Sequence, residues 1–173
     1  GERFADPNIF QNGSKVVTDI DDYGPDIFTD FIIEFINKNK NNPFFVYYPM
    51  ALVHDPFRPT PDSQDWKDPN KRNVGNNPIY FGDMVTYMDK IVSRISNSLK
   101  ENNIEKNTLL IFVGDNGTDQ DVVTLNQGLE IPGSKGGSII YSSNVPMIIN
   151  WANQIKQPFK SDVLICLLYT SPS

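Results

Sequence analysis

Thr108-Leu109-Leu110-Ile111-Phe112-Val113-Gly114-Asp115-Asn116-Gly117-Thr118 is the stretch whose reading decides the fold. Its apolar run reads as a strand covered on both faces, the pattern of a parallel sheet flanked by helices. Gly114 breaks the run, and a carboxylate and a carboxamide follow side by side. In sheets of that kind ligands sit beyond the carboxyl ends of the strands. Asp115 and Asn116 stand at that edge and offer hard oxygen donors, which Ca²⁺ or Mg²⁺ selects. Asp, Asn and Gly also make ordinary strand-to-loop turns, because they tolerate left-handed backbone or bond their own main chain. By itself Asp115-Asn116-Gly117 reads as the turn, and it is the rest of the chain that brings in the metal reading.

Working outward, the chain alternates helix and strand. Residues 81–102 carry Met84, Val85, Met88, Ile91, Val92, Ile95 and Leu99 at helical spacing. Asp83, Asp89, Lys90, Arg94 and Lys100 lie largely off that stripe and read as a solvated face. Earlier, Tyr23-Gly24-Pro25-Asp26 opens a helix over 25–36, with proline in the first turn and an acid at the positive end. Phe44-Phe45-Val46-Tyr47-Tyr48 reads as an aromatic strand. Val145-Pro146-Met147-Ile148-Ile149-Asn150-Trp151 reads as a third, with proline at its start. Two helix-then-strand units predict an α/β fold with a largely parallel sheet. Gly1 to Gly13 reads as loop and Lys15 to Ile20 as a short edge strand. Asn12-Gly13-Ser14 is a turn that also fits a glycosylation acceptor.

Composition narrows the classes. The 173 residues can enclose a real core, with 39% apolar and 12% aromatic residues. A net charge of −6 and the absence of any Lys/Arg block argue against a nucleic-acid surface. One cysteine excludes a disulfide framework and a Cys-based zinc cluster. The longest apolar run, Val163 to Tyr169, is too short to span a bilayer.

Two further residues carry possible chemistry. His54, the only histidine, follows the 44–48 strand in a proline-rich loop beside Asp55 and Pro56. It is either a solvated residue or a group facing the same sheet edge as Asp115. Lys135 lies in Pro132-Gly133-Ser134-Lys135-Gly136-Gly137-Ser138, among small residues that leave it free to reach an anion. It is not a P-loop lysine, because G-x-x-x-x-G-K-[ST] is absent. By itself it reads as a surface lysine. Residues 62–80 form a long polar loop, a candidate lid, in which Trp66 either stacks on carbohydrate or anchors the loop.

Taken in order, Pro43-Phe44-Phe45-Val46-Tyr47-Tyr48-Pro49, His54-Asp55-Pro56, the helix with Asp83-Met84-Val85-Thr86-Tyr87-Met88-Asp89, Asp115-Asn116-Gly117, Gly133-Ser134-Lys135-Gly136 and Val145-Pro146-Met147-Ile148 resemble the arylsulfatase-like sulfatases of the alkaline phosphatase superfamily. The resemblance covers about residues 3 to 165 and corresponds to the later part of that catalytic domain. It implies an alkaline phosphatase-like sandwich, incomplete here, with a mostly parallel sheet flanked by helices. It implies a domain over 1–165 and an enzyme that hydrolyses small-molecule or glycan sulfate esters. It also implies calcium, more than magnesium, on Asp115 and Asn116. His54 and Lys135 then take catalytic and substrate-binding roles: His54 contacts the sulfate and protonates the leaving oxygen, and Lys135 neutralises charge on the sulfate. Relatives are usually exported or lysosomal, in a periplasmic, extracellular or lysosomal-type compartment. Oligomeric state is not legible.

Three departures stand beside the resemblance. The formylglycine nucleophile, made from Cys or Ser in a C-x-P-S-R-like motif, is not in this chain; Cys166 precedes Leu-Leu-Tyr-Thr. It is expected upstream, with the aspartate pair that completes the calcium site, and Asp21-Asp22 are not assigned to that pair. Ile139 to Asn144 replace a small, basic segment of relatives. The likeness stops after Ile165, and residues 166–173 read as a non-native tail. The chain alone is therefore expected to be inactive and poorly stable. Two other readings are a phosphate or phosphonate ester hydrolase of the same superfamily and a non-catalytic binder of sulfated glycans.

Overall fold

The computed structural model describes residues 2–163. The expected boundary at residue 165, Cys166, the tail and most of the 163–169 apolar run lie outside them. The described chain begins with a hairpin, β1 (Phe10–Gln11) and β2 (Ser14–Lys15), closed by Asn12-Gly13. The turn reading of Asn12-Gly13 holds, whereas the expected 15–20 edge strand is reduced to one arm of this hairpin. Helix α1 spans Gly24–Asn39, with Pro25 in its first turn and Asp26 at its positive end. Helix α2 spans Phe81–Glu101. The central strand β3 is Leu110–Val113, followed by hairpin β4 (Val123–Asn126) and β5 (Leu129–Pro132), short helix α3 (Ile140–Ser143) and β6 (Met147–Asn150).

The sheet differs from the expectation. β3 pairs with β6 antiparallel, Ile111 opposite Ile149 and Phe112 opposite Ile148, and the two hairpins are antiparallel as well. Among the described residues no parallel ladder forms, because a parallel neighbour needs a crossover that returns a strand alongside, and none does so here. The 44–48 stretch is extended without a ladder partner. Its side chains still alternate: Phe45 and Tyr47 are 85% and 78% exposed, while Phe44 and Tyr48 pack toward the α1–α2 contact. Together with α1 it lines an open apolar groove of about 410 Å³, walled by Phe28, Phe31, Phe35 and Phe45 among others.

The core lies between α2 and the N-terminal segment. Phe4, Tyr23, Leu52, Phe57, Met84 and Ile91 are its centre, and Ile32, Ile36 and Leu99 seal the α1–α2 contact. Each large apolar side chain buried there contributes about 1.5–3 kcal/mol. The helical stripe is rotated from its expected position: Tyr87 is buried and Val85 exposed. The reason is polar. The Tyr87 hydroxyl donates to Asp26 Oδ2 at 2.6 Å and Arg94 Nη1 to Asp26 Oδ1 at 2.8 Å, so Asp26 ties α1 to α2. Arg94, Lys90 and Asp83 are thus not a merely solvated face. Lys90 reaches Asp62 and covers the Tyr87 ring, and Asp83 accepts from Ser63 Oγ.

Residues 62–80 are not a loose loop either. Three 3-10 turns, Gln64–Lys67, Pro69–Lys71 and Pro78–Tyr80, stiffen them. Trp66 meets Tyr23 edge-on at 5.4 Å and carries the Arg72 guanidinium 4.6 Å above its ring, so it anchors the loop to the core.

Burial raises the Tyr23 hydroxyl well above the usual phenol range, with Tyr87 and Asp26 adding to it; burial, then the hydrogen bond to Asp26, does the same for Tyr87. A group that holds its proton more tightly when folded stabilises the fold below its unfolded pKa and loses that contribution as pH rises beyond it. Unfolding by urea at increasing pH should therefore show stability falling from about pH 10 upward, and Tyr87→Phe should flatten the fall. A pH-independent midpoint through that range would exclude this role for the pair.

Candidate functional site

The site is built on loops that the core holds at both ends. Leu52 and Phe57 are buried on either side of His54, which leaves His54-Asp55-Pro56 at the surface. The His54 N–H donates to Ala51 O at 2.9 Å, closing a turn. Phe57 is held from the loop side: its N–H donates to Asn76 Oδ1 at 2.7 Å, and Asn77 N–H donates to Phe57 O at 3.0 Å.

Asp115 and Asn116 follow β3 directly and are exposed. The chain then turns under α3. Gly117 N–H donates to Ser142 O at 2.8 Å, so close that a Cβ on Gly117 would lie 2.2 Å from Tyr141 O. Next it meets the Lys135 loop. Lys135 N–H donates to Thr118 O at 3.0 Å, Gly133 N–H to Val122 O at 2.8 Å, and Gln120 Nε2 to Lys135 O at 3.4 Å. Backbone contacts thus stitch the Asp115-Asn116 turn to the Lys135 loop. The β4–β5 hairpin, closed by Gln127 and Gly128 at φ +52° and +83°, spans the gap between them.

Lys135 reaches across to His54. Its Nζ is 2.9 Å from His54 Nε2, joining residues 81 apart in sequence. On the far side of the ring, His54 Nδ1 lies 2.9 Å from Asp55 Oδ1, 2.7 Å from Asp55 O and 3.1 Å from Arg3 Nη1. The side chain is half exposed, open to an incoming anion. Sequence reasoning did not single out Arg3 or Asp55. Asp55 had a readable signal, an acid next to the only histidine; Arg3, 51 residues away, had none.

Asp115 and Asn116 offer one carboxylate and one amide carbonyl, fitting part of the six to eight oxygens calcium takes. Among the described residues no group of three or more His, Cys, Asp or Glu is placed to hold a metal. The large apolar groove is lined by none of the four candidate residues and carries no charge to meet an anion. Among the described residues no helix is long and apolar enough to cross a membrane.

Comparison with known proteins gives a consistent result. An arylsulfatase of Hemicentrotus pulcherrimus is 27% identical over 139 residues, covering 80% of this chain and 24% of that protein. An N-acetylgalactosamine-6-O-sulfatase of Bacteroides thetaiotaomicron is 30% identical over 151 residues, covering 80% of this chain and 27% of that protein. Among solved structures, that of Ps i-CgsB superposes with a TM-score of 0.62 at 28% identity, over 81% of this chain and 30% of the other. A second structure of the same name, in complex with k-i-k-neocarrahexaose, gives a TM-score of 0.55 at 25% identity, over 81% and 30% of the two chains. This chain therefore spans less than a third of the length of these relatives. The Sulfatase family model matches residues 2–166, nearly all of the sequence that brings His54 and Lys135 together, and on that match the chain belongs to the sulfatase family.

Proposed function

We propose that this chain is part of a longer sulfatase that hydrolyses a sulfate ester on a glycan, and that His54 and Lys135 hold the sulfate. The observation that carries this reading is the 2.9 Å approach of Lys135 Nζ to His54 Nε2 from two loops otherwise unrelated in sequence. A flexible ammonium and an imidazole converge at an exposed point, which suits a small tetrahedral anion. A glycan substrate is favoured because the relatives include a sulfatase named for N-acetylgalactosamine and a structure solved in complex with k-i-k-neocarrahexaose.

The chemistry these residues can perform follows from where charge moves. When the S–O bond to the sugar breaks, negative charge grows on the leaving oxygen. His54 delivers a proton to that oxygen, worth about 10²–10⁴-fold. Lys135 places a compact positive charge against the sulfate oxygens, a contact that strengthens as the transition state forms. Asp115 and Asn116 would contribute two oxygen ligands to a calcium ion, with the remaining ligands and the nucleophile coming from other parts of the protein. Calcium, when bound, supplies Lewis-acid polarisation of the sulfate group.

The test is turnover by the full-length protein of 4-nitrophenyl sulfate against 4-nitrophenyl phosphate. Sulfate preference is expected, and preference for phosphate would replace this reading with phosphoryl chemistry. The 173-residue chain alone should turn over neither. Calcium should raise the melting temperature of the full-length protein, since a ligand at one hundred times its Kd adds about 2.7 kcal/mol. Asp115→Ala should abolish that rise. A rise that persists in Asp115→Ala would place the ion elsewhere.

A further inference from the structure

We propose that Asp55 is a positioning residue that holds His54 in the Nδ1–H tautomer and leaves the Nε2 lone pair to Lys135. The argument is one of counting protons. A neutral imidazole carries one N–H, on one nitrogen. Four groups lie against this ring: Asp55 Oδ1 at 2.9 Å, Asp55 O at 2.7 Å and Arg3 Nη1 at 3.1 Å around Nδ1, and Lys135 Nζ at 2.9 Å from Nε2. The two oxygens can only accept; the guanidinium and the ammonium can only donate.

With the proton on Nδ1, the ring donates toward both Asp55 oxygens and accepts from Lys135, so three of the four contacts are satisfied. Arg3 then turns its donor to Asp55 O, 3.4 Å away. With the proton on Nε2, only Arg3 is satisfied. The bare Nδ1 would face two oxygens within 2.9 Å, and Nε2–H would point at an ammonium. The first arrangement wins on every contact but one, and that one has an alternative partner.

The consequence rests on the sulfatase reading. Nε2 takes a proton from solvent as the Lys135 ammonium leaves it for the sulfate oxygens, and the resulting imidazolium, a cation beside that ammonium, then gives the proton to the leaving oxygen. The Asp55 carboxylate against Nδ1–H offsets that charge and fixes the ring plane, so that Nε2 stays aimed at the sulfate. Asp55 touches no substrate in this scheme; it acts through His54.

Two measurements on the full-length protein test this. The first is ¹⁵N NMR of the imidazole side chains at about pH 8.5, where an ordinary imidazole is neutral, with the His54 signals identified by their loss in His54→Gln. The wild type should show a protonated Nδ1 and a bare Nε2. Asp55→Ala should move the proton to Nε2, and Asp55→Asn, whose amide oxygen still accepts, should keep it on Nδ1. A bare Nδ1 in the wild type, or an unchanged tautomer in Asp55→Ala, overturns the proposal; the latter would leave the backbone carbonyl as the sole determinant. The second is leaving-group dependence. Asp55→Ala should lower kcat on an alkyl or sugar sulfate by about 10-fold or more, since that oxygen needs the proton. It should leave 4-nitrophenyl sulfate, whose leaving group needs little help, nearly unchanged. An equal fall on both substrates makes Asp55 a merely structural residue. Absence of any sulfatase activity in the wild type would overturn the reading of function instead, and the tautomer would still be read by NMR.

Discussion

Lys135→Ala in the full-length protein is expected to lower kcat/KM for an aryl sulfate by about 10²–10³-fold, the range for losing one preorganised donor to developing negative charge. His54→Ala should cost a comparable or larger factor on a sugar sulfate, about 10²–10⁴-fold, since a positioned proton donor is lost there. The double variant is the more informative measurement. The two side chains touch at 2.9 Å and, in the proposed reaction, serve one group. Their effects should therefore be strongly non-additive, with the double variant little worse than the poorer single. Lys135→Arg should not rescue, because a planar fork presents its charge in a different place from a compact ammonium. Inhibition by inorganic sulfate reports binding at the same contact separately from the rate of the chemical step, and its Ki should rise in Lys135→Ala. Melting temperatures should stay near the wild type, as His54 is exposed and Lys135 only partly covered. Additive losses, or an unchanged Ki for sulfate, would dissociate the pair from the anion.

The helices were legible because helix formation and helix burial are local: α1 and α2 appear within a few residues of their expected ends, and Pro25 and Asp26 take the positions their chemistry assigns. The sheet was not, because strand pairing is non-local. The apolar run 110–113 predicts a strand covered on both faces, but one face of β3 is open, with Ile111 47% and Val113 37% exposed, and the run does not say which strand lies beside it; the partner observed is antiparallel. The 44–48 stretch has the composition and the alternation of a strand but no ladder, which composition cannot reveal. The β4–β5 hairpin escaped notice because its turn is Gln127-Gly128 rather than Asn-Gly, although Val123-Thr124-Leu125-Asn126 and Leu129-Glu130-Ile131 alternate apolar and polar residues on either side of it. At the candidate site, His54, Lys135, Asp115 and Asn116 were each visible as residue types. That Lys135 would meet His54 followed from the family likeness and from nothing in the spacing. Asp55 was hidden in the open, since an aspartate before proline is also what any turn would use.

The loop that carries Lys135 owes its place to a glycine, and Gly133→Ala is expected to have the largest effect of any single added methyl group. A Cβ at Gly133 would lie 1.9 Å from Asp119 O and 2.5 Å from Thr118 O. Both obstacles are backbone, so neither can turn aside as a side-chain tip could. The loop must move by about an ångström, and the bond from Lys135 N–H to Thr118 O is the first to break. Overpacking of this kind costs about 1–3 kcal/mol, and a displacement of that size costs about 10²-fold in rate. Gly136→Ala adds a methyl group to open space but at a φ of +79°, so it should cost about 1 kcal/mol of backbone strain with a smaller loss of activity. Gly82→Ala, inside α2 and facing nothing within 4 Å, should instead stabilise by about 0.5–1 kcal/mol and leave activity alone. Thermal melts and kcat/KM of the three full-length variants check the order. The ranking matters more than any one value, because it separates close approach from backbone conformation. If Gly136→Ala proved the worst of the three, the left-handed turn after Lys135 would position the lysine, and the contact with Thr118 and Asp119 would be incidental.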